Sequence, residues 1–397
     1  MMLATADKVL LAAPKDPRPA AAETMVAVAR SCGIGPFGQM REMAALRWGP
    51  GKLASHEYFS TGAYDTKLSK AEKRAYVGKI GSYELNLAAS PLKLTGTRAF
   101  VRDKVMYTAL LNQLGLETTQ TQAVVHADRL FGNIPTLRSP SEVETFLRET
   151  AKYPLFAKPC EGAASVGSAL IEARDGDLLK LGNGRQADVA SFAHEIIEDY
   201  PEGFILQSAI IQHPDMVAMT GASVGTLRVV TLRDESGIAP LYTVWKVPSP
   251  KAMSDNFWQS GSMVALIDDD TGCVRKCNIG SGPAAQWIEK HPTSGLAFEG
   301  YQIPHWGKVI DAACAGHGLF PEFGIVGWDI AVGPDGPVII ECNDNPYHVL
   351  WQLAAGEGIR NDHFLPRFKA AAARSDAILR GKVATFQARQ AAKSAKS

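Results

Sequence analysis

The chain has 397 residues, of which 41 are basic and 41 acidic, so its formal net charge at neutral pH is zero. A balanced charge gives no support for nucleic-acid binding. No apolar run reaches the roughly 18 residues that a membrane-spanning helix requires. The six cysteines form no Cys-x-x-Cys pair, which disfavours zinc and disulfides, and free thiols without a secretory leader predict a cytoplasmic protein.

The first 97 residues predict a leader domain of mixed helix and loop. Helical patterns cover residues 23–30 and 69–79, and a glycine string at 33–38 interrupts them. That string partly matches a dinucleotide-binding loop. Because no strand precedes it and Pro36 breaks it, a plain turn is the favoured interpretation.

Residues 98–207 predict a smaller α+β unit. Its first helix is expected over residues 102–114, with Gly115 as the stop. A second helix is expected over residues 141–151, because Ser141 and Glu144 have the spacing of a capping box.

Residues 208–365 predict a larger unit, in which apolar strands alternate with a helix over residues 306–316. The segment 366–397 follows as a tail with eight basic side chains and one acid. A packed helix that frays into solvent is favoured for it. Contact with an anionic membrane surface or a glycan is the alternative.

Two apolar, β-branched segments flank the turn Gly-Pro-Asp-Gly at 333–336 and predict a pair of neighbouring strands. Asp329 lies on the first, and Glu341 and Asn343, two residues apart on the second, face the same side. Carboxylates in apolar surroundings require a partner, and these three oxygen donors suit Mg²⁺. The alternative is an ordinary hairpin whose acids face water.

A lysine loop upstream favours the metal site over the hairpin. A short apolar strand delivers Lys158 into the small residues of segment 160–168. Glycine and alanine let backbone N–H groups approach phosphate closely, while Ser165 and Ser168 add hydroxyl donors. The lysine precedes the glycines and no Gly-Lys-Ser/Thr follows, so the loop is neither a P-loop nor a dinucleotide fingerprint.

These motifs, in this order, resemble the ATP-grasp superfamily over residues 102–360. Lys104 stands for the family's early lysine and Lys158 for the lysine before its mobile loop. Segment 203–210 is similar to the adenine-contacting hinge, and Glu-x-Asn-x-x-Pro, ending at Pro346, is similar to the metal strand.

The subgroup that the chain resembles is the sugar-transfer-associated, α-L-glutamate-ligase-like ATP-grasp proteins. The resemblance rests on Ser-x-x-Thr-Leu-Arg at 223–228, Asp-Asn-Phe at 255–257 and the leader segment 53–74. It implies an α+β ATP-grasp fold, in which two α+β subdomains sandwich the nucleotide behind a mainly helical N-terminal segment.

The resemblance also implies cofactors and site residues. ATP and Mg²⁺ are expected, with room for two ions and with Mn²⁺ as a substitute. The nucleotide-binding residues implied are Lys104, Lys158, Glu161, Gly162, Ser165, Val166, Gly167, Gln207, Ser208, Ala209 and Ile210. The catalytic residues implied are Arg228, Lys246 and Asn256, and the metal ligands are Asp329, Glu341 and Asn343.

Some positions depart from the family pattern. Tyr347, followed by His348, replaces the glycine after the metal strand, so the acceptor side of the pocket is expected to differ. The family's glycine pair is reduced to Ser260 and Gly261, and Gln207 stands where an acid is common.

Three further side chains are weighed as catalysts. Cys160 lies in the loop without a recognisable base nearby. Its favoured role is therefore that of a small packing residue, not of a nucleophile. For His317 the favoured role is that of a residue at a helix end. For His348 two roles remain possible from sequence, a catalytic base and a structural histidine.

The function implied by the resemblance is an ATP- and Mg²⁺-dependent carboxylate–amine ligase that acts through an acyl phosphate. Its expected substrates are a small-molecule carboxylate and an amine or glycan, with an amino acid attached to a cell-surface glycan precursor or a peptide. The alternatives are a non-catalytic ATP-binding partner of glycan synthesis and a small-molecule kinase. Oligomeric state is not predicted.

Overall fold

The computed structural model of the chain describes residue 10 and residues 21–162, 166–249 and 252–394. The α-helices of this part are α1 (Ala21–Cys32), α2 (Pro36–Arg47), α3 (Ser55–Ser60), α4 (Lys70–Ala75), α5 (Lys79–Ala89), α6 (Arg98–Arg102), α7 (Lys104–Gln113), α8 (Pro140–Thr145), α9 (Val189–Glu198), α10 (Pro214–Thr220), α11 (Trp306–Gly318), α12 (Val349–Ala355) and α13 (Phe364–Ser394). The strands are β1 (Thr121–Val125), β2 (Thr136–Leu137), β3 (Leu155–Pro159), β4 (Ala169–Asp175), β5 (Leu178–Leu181), β6 (Gln186–Asp188), β7 (Phe204–Ser208), β8 (Thr226–Asp234), β9 (Gly237–Val247), β10 (Met263–Ile267), β11 (Val274–Ile279), β12 (Gln286–Ile288), β13 (Ile325–Val332) and β14 (Pro337–Asn343).

The smaller sheet has the strand order β2-β1-β7-β3-β4-β5-β6, antiparallel except for the β1–β2 pair. Helix α9 covers it because Val189, Phe192, Ala193 and Ile196 recur at helical spacing and are buried on one face. They share an apolar cluster with strand residues such as Leu155. This unit is therefore a helix-covered sheet with its own core.

The larger sheet is antiparallel throughout, in the order β12-β11-β10-β9-β8-β13-β14. Neighbouring residues on a strand face opposite sides, as Val244 and Trp245 of β9 illustrate. Trp245 packs into the core that α7 and α11 cover, together with Trp328 of β13. Val244 packs into the opposite core, which α5, α12 and α13 cover. Both sheet faces are therefore buried.

The two sheets meet at α7 and at the metal-strand hairpin. The hydroxyl of Tyr107 on α7 donates to the Ile340 carbonyl of β14 at 2.9 Å, and Val105 of the same helix packs against Val124 and Ile205 of the smaller sheet. The Ile339 amide also donates to the Glu117 carbonyl at 2.9 Å. These contacts bring the loop end of the smaller sheet close to β13 and β14.

The leader packs partly on itself and partly on the larger unit. Val28, Leu46 and Tyr58 of α1–α3 share a separate apolar cluster. Helix α5 instead inserts Leu85 and Ala89 into the core that contains α12 and α13. One face of the larger sheet is thus covered partly by leader residues.

Predicted helix starts differ from the observed ones by one or two residues, and side-chain caps explain the shifts. The helix expected over 102–114 begins at Lys104, because Asp103 accepts hydrogen bonds from the Val105 and Met106 amides. Gly115, with φ of +82°, follows its end as predicted.

The helix expected over 141–151 begins at Pro140. Ser139, rather than Ser141, accepts the Glu142 amide, and a π-helical turn, Phe146–Thr150, completes the element. The helical pattern at 69–79 is split: Ser69 and Glu72 form the capping box of α4, and α5 begins only at Lys79.

The remaining helical predictions were nearly right. Residues 23–30 fall within α1, and α11 extends the expected 306–316 to Gly318. In the glycine string, residues 33–35 connect two helices and Pro36 begins α2, so no dinucleotide loop forms. The basic tail is the second half of α13, which is exposed from Arg380 to Ser394. Among the helices that the structure describes, none combines the length and apolar character needed to cross a bilayer.

Candidate active site

Arg228, Asp329 and Lys246 form a buried ion-pair cluster at one end of the larger sheet. Strand register places Asp329 of β13 directly opposite Arg228 of β8. The guanidinium binds both carboxylate oxygens, with Nη2 at 2.9 Å from Oδ2 and Nε in contact with Oδ1. Lys246 Nζ of β9 lies 3.1 Å from the same Oδ2. Two predicted catalytic residues and one predicted metal ligand therefore converge.

Asp255 completes this cluster, which we call the ion-pair cluster. Its Oδ2 lies 2.8 Å from Lys246 Nζ and also accepts the Thr226 hydroxyl. Two cations and two carboxylates therefore balance. Sequence analysis noted Asp255 only as the neighbour of Asn256 and gave it no role. The available signal was Lys246, because a lysine on a buried strand needs a carboxylate to compensate its charge.

The cluster controls the protonation of Asp329. Burial acts to raise the pKa of this carboxyl group, but the charges of Arg228 and Lys246 outweigh burial and hold the pKa well below its ordinary value. Asp329 is therefore ionised at any physiological pH. Its buried charge already has side-chain partners, so its burial alone does not require a metal ion.

Glu341 and Asn343 lie beside the cluster on β14. Register places Glu341 opposite Asp329, and Asn343 opposite Gly327. A Cβ at Gly327 would lie 2.9 Å from the Pro346 side chain and 3.5 Å from Arg228 Cδ, so glycine is what permits this close packing. Asn343 Nδ2 is buried without a hydrogen-bond partner among the described residues.

Within the described ranges, no three His, Cys, Asp or Glu side chains are grouped as a metal site. The predicted set thus consists of two carboxylates and one amide, and it depends on the Asn343 oxygen. Asp329 still has capacity, since an ionised carboxylate offers about four acceptor positions and Arg228 and Lys246 use three. The donor set therefore suits Mg²⁺, which takes one or two carboxylates together with substrate oxygens.

Lys158 reaches this region from the smaller sheet. It is the second-last residue of β3, is buried, and forms no ion pair with any residue that the structure describes. Burial lowers its pKa to about 8, the charge of Glu341 acts in the opposite direction, and nearby Lys104 lowers it further. The side chain is therefore a desolvated cation close to Glu341 and Lys104, in need of an anion.

Lys104 ties α7 to the small-residue loop. As the first residue of that helix it places Nζ 3.5 Å from the Gly162 carbonyl. Glu161 and Gly162 are exposed, and Val166 and Gly167 resume the chain. Gly167 has φ of +77° beside the Tyr200 ring, where a side chain would clash. The predicted ligand Ser165 lies outside the described residues.

Cys160, at the start of this loop, has a pKa raised to about 11 by burial. It is therefore a protonated thiol at neutral pH, which supports a role as a small packing residue and not as a nucleophile.

The predicted hinge contains β7, an interior strand of the smaller sheet. Gln207 is buried on β7, between β1 and β3. The Ser208 amide donates to the Gln120 carbonyl at 2.9 Å and the Ala209 amide to Pro154 at 3.0 Å. These two amides are thus used by the protein itself. Ile210, half-buried, leads out of the strand.

Asn256 holds the loop between β9 and β10. Its Oδ1 accepts the Trp258 amide at 3.1 Å, and its carbonyl accepts the Ser262 hydroxyl at 3.0 Å. The side chain thereby shapes the loop that carries Asp255 toward Lys246. A positioning role is what these contacts support.

Residues of the leader and of α6, the helix that follows it, hold the segment after β14, residues 344–348, which we call the post-strand segment. Arg98 contacts the Asp344 carboxylate and donates to its carbonyl at 3.0 Å, and Arg102 binds the same carboxylate at 3.0 Å. Asn86 Nδ2 donates to Asn345 Oδ1 at 2.7 Å and to the Pro346 carbonyl at 2.9 Å. These residues carried no motif and were missed by sequence analysis.

Tyr347 and His348 also point into the leader. The Tyr347 hydroxyl donates to Glu57 at 3.1 Å, and the same buried carboxylate accepts the Ala54 and Lys79 amides. His348 is fully buried between the Tyr242 hydroxyl and Asn86 Oδ1. Burial lowers its pKa to about 3, so it is neutral and structural.

His317 is likewise a structural histidine. It lies between the Thr231 hydroxyl, at 2.8 Å, and the Phe323 carbonyl, at 2.9 Å. Burial lowers its pKa to about 4.

Comparison with known proteins defines the class of this molecule. The two-sheet α+β architecture is the ATP-grasp fold, and the model of the sugar-transfer associated ATP-grasp family matches residues 95–366. The chain belongs to this family. None of the curated proteins compared with it matches.

Solved structures with similar folds include several ligases. D-alanine–D-alanine ligase from Coxiella burnetii has a TM-score of 0.43 and 10% identity, over 74% of this chain and 62% of that chain. L-amino acid ligase from Bacillus licheniformis has a TM-score of 0.34 and 13% identity, over 63% of this chain and 41% of that chain. Biotin carboxylase from Campylobacter jejuni has a TM-score of 0.40 and 10% identity, over 69% of this chain and 46% of that chain. The matched region therefore spans less than two thirds of each of these proteins.

Proposed function

We propose that the protein is an ATP- and Mg²⁺-dependent ligase that joins a carboxylate to an amine through an acyl phosphate. The observation that carries the proposal is that the charge of Glu341, on the larger sheet, acts on Lys158, on the smaller sheet, where the Tyr107 hydroxyl of α7 binds the Ile340 carbonyl of β14. A desolvated ammonium beside a metal-binding carboxylate suits a bound triphosphate whose charge both groups share.

In this proposal residues 98–207 act as the lid and residues 208–365 carry the metal. Lys104 and Lys158 neutralise phosphate oxygens from the lid side. Glu341, Asn343 and the remaining acceptor position of Asp329 hold Mg²⁺, which when bound neutralises charge on the phosphates during transfer.

In this proposal the ion-pair cluster binds the substrate carboxylate, which receives the phosphoryl group. Arg228 and Lys246 sit at the end of the sheet beside Asp329, and their positive charge suits a substrate carboxylate. A carboxylate oxygen attacks the γ-phosphorus, the bond from that phosphorus to the bridging oxygen breaks, and ADP leaves. An amine nitrogen then attacks the acyl carbon, phosphate leaves with the bonding electrons, and the amine proton passes to solvent.

No side chain of the protein has to act as a nucleophile in this scheme. Positioning and charge neutralisation are sufficient for phosphoryl transfer. We place the reaction in the cytoplasm, supported by six cysteines that are all free thiols.

The proposed acceptor is an amine on a glycan precursor or peptide, in accord with the family description. The post-strand segment and the leader residues that hold it form the neighbouring wall, where Tyr347 stands in place of the small residue expected there.

A hydroxylamine-trapping assay tests the ligase proposal. The protein is incubated with MgATP, pooled amino acids and sugar acids, and hydroxylamine, and ADP and hydroxamate are measured. Hydroxamate that requires both ATP and a carboxylate supports an acyl phosphate. ADP with a stable phosphorylated product would identify a kinase, and ATP binding without turnover would identify a non-catalytic binder; either result overturns the ligase.

A further inference from the structure

A large open cleft lies between the leader and the outer edge of the larger sheet. Its volume is about 1500 Å³. The leader contributes the segment 60–68, and the facing wall is built from β11, β12 and the end of α12. None of the residues assigned above to nucleotide, metal or the ion-pair cluster lines it. The cleft is therefore a feature separate from the proposed nucleotide site.

Trp287, on the edge strand β12, presents an aromatic surface to this cleft. Its side chain is 54% exposed, although burial of an indole is strongly favourable. Lys276 Nζ lies 4.7 Å from the ring centroid and is itself held by the Ala355 carbonyl. Gly356, with φ of +68°, packs so closely that a Cβ there would lie 3.1 Å from the ring. The indole is thus supported by its neighbours while much of its surface stays open.

The rest of the lining mixes polar side chains with apolar ones such as Leu68 and Ile288, and it carries both signs of charge. Hydroxyl, amide, carboxylate and ammonium groups are represented by Thr61, Asp65, Lys67, Asn278, Glu289 and Glu357. A strongly anionic or cationic ligand would meet like charges on either wall. A peptide in extended form would call for apolar pockets at alternate positions. An open aromatic face surrounded by mixed donors and acceptors instead suits the C–H faces and hydroxyl edges of a neutral sugar chain.

The size of the cleft favours a chain over a single unit. Pockets for drug-sized ligands hold roughly 300–1,000 Å³, and this cleft exceeds that range. A free amino acid would leave most of it filled by water. Several linked sugar rings would occupy it and contact both walls.

Strand register connects the cleft to the ion-pair cluster. Asn278 of β11 pairs with Val264 of β10, and Val264 pairs with Lys246 of β9. Asn278 and Lys246 therefore lie in one cross-strand row, two strands or about 10 Å apart. The buried Val264 lies between them, so the row fixes the distance from the cleft to the reacting groups.

We propose that this cleft binds a neutral or N-acetylated oligosaccharide, with Trp287 as its stacking platform. The inference rests on the proposed function in one respect: if the ligase acts on a glycan, the cleft holds the acceptor chain behind the reacting end. Binding itself requires neither ATP nor metal.

A glycan array tests the proposal directly. The full chain, without ATP and Mg²⁺, is applied to a printed array of neutral and N-acetylated oligosaccharides, with a peptide array in parallel. Ligands are then titrated by calorimetry against wild type, Trp287→Ala, Trp287→Phe and the control Trp48→Ala. Trp48 is the better-exposed tryptophan, at 83%, and lies outside the cleft.

The expected result is oligosaccharide binding that weakens at least tenfold in Trp287→Ala, is partly retained in Trp287→Phe and is unchanged in Trp48→Ala. A tenfold loss of affinity corresponds to about 1.4 kcal/mol. Absence of sugar binding, binding that ignores Trp287, or preference for peptides would overturn the proposal. Hydroxamate formation is measured separately. Sugar binding without turnover would reject only the ligase proposal. Turnover without sugar binding would reject only the proposal that the cleft binds an oligosaccharide.

Discussion

Asp329 and Arg228 are register partners on adjacent strands, and the guanidinium binds both oxygens of the carboxylate in the interior of the larger sheet. The pair lies between the strand that carries Lys246 and the strand that carries Glu341. It thereby links the cationic side of the candidate site to its metal-binding side. Four predictions follow from this arrangement and its surroundings.

Replacing Asp329 by asparagine should destabilise the fold by about 3–5 kcal/mol, because Arg228 and Lys246 would lose the carboxylate that compensates their buried charges. Denaturant unfolding measures the loss. The matched control is Asp175→Asn, which removes an exposed ion pair with Lys180 and should cost at most about 1 kcal/mol. Equal effects of the two substitutions would show that the buried cluster is not a stabilising unit.

Glu341→Gln should abolish Mg²⁺-dependent ATP turnover while changing the free energy of unfolding by less than about 1 kcal/mol. Glu341 is half-exposed and forms no ion pair with a described residue, so the fold does not depend on its charge. Turnover and ATP affinity are measured over a range of Mg²⁺ concentrations. Glu235→Gln, in the exposed turn after β8, is the control. Normal turnover in Glu341→Gln would remove this residue from the metal site.

ATP affinity should fall as pH rises through about 8, because Lys158 then loses the charge that faces phosphate. Its pKa is below that of an unfolded lysine, so between pH 8 and about 10.5 the unfolded state binds more protons. As pH rises across that window, the titration of Lys158 should therefore increase the free energy of unfolding of the ligand-free protein.

The measurement is calorimetric ATP titration from pH 6.5 to 9.5, in wild type and in Lys158→Arg. The guanidinium remains charged throughout, so the variant should bind with little dependence on pH. An affinity in wild type that is constant up to pH 9.5 would contradict a functional role for the lysine charge.

Arg98→Ala should destabilise the protein by about 3 kcal/mol, and Arg102→Ala by at most about 1 kcal/mol, although both arginines bind the Asp344 carboxylate. Arg98 is buried and also donates to the Ser90 carbonyl at 2.9 Å, whereas the Arg102 side chain is 59% exposed. Denaturant unfolding of the two variants compares the contributions of two arginines that bind the same carboxylate, that of Asp344. A larger loss for Arg102→Ala would mean that the exposed arginine, rather than the buried Arg98, holds the post-strand segment.

The local elements of the candidate site were accessible from sequence. The β13–β14 hairpin, its turn and the three donors Asp329, Glu341 and Asn343 are encoded within 20 residues, where alternation and turn residues specify register. Lys158 was found for the same reason, since its strand and loop are contiguous. Helix starts were less accessible, because Asp103 and Ser139 compete with neighbouring polar residues for the capping role.

Contacts between distant segments were decided only by the tertiary structure. Nothing near Asp329 in sequence indicates that Arg228 and Lys246 neutralise it, or that Asp255 completes the balance. The contacts of the leader and of α6 with the post-strand segment have no motif, because Glu57, Asn86 and Arg98 act through packing rather than pattern. By itself the sequence determined the family and allowed the metal ligands and phosphate-binding lysines to be predicted, because periodicity and spacing are local properties. Which charges meet in the interior, and which surface faces an open cleft, depends on how two sheets and a leader fit together.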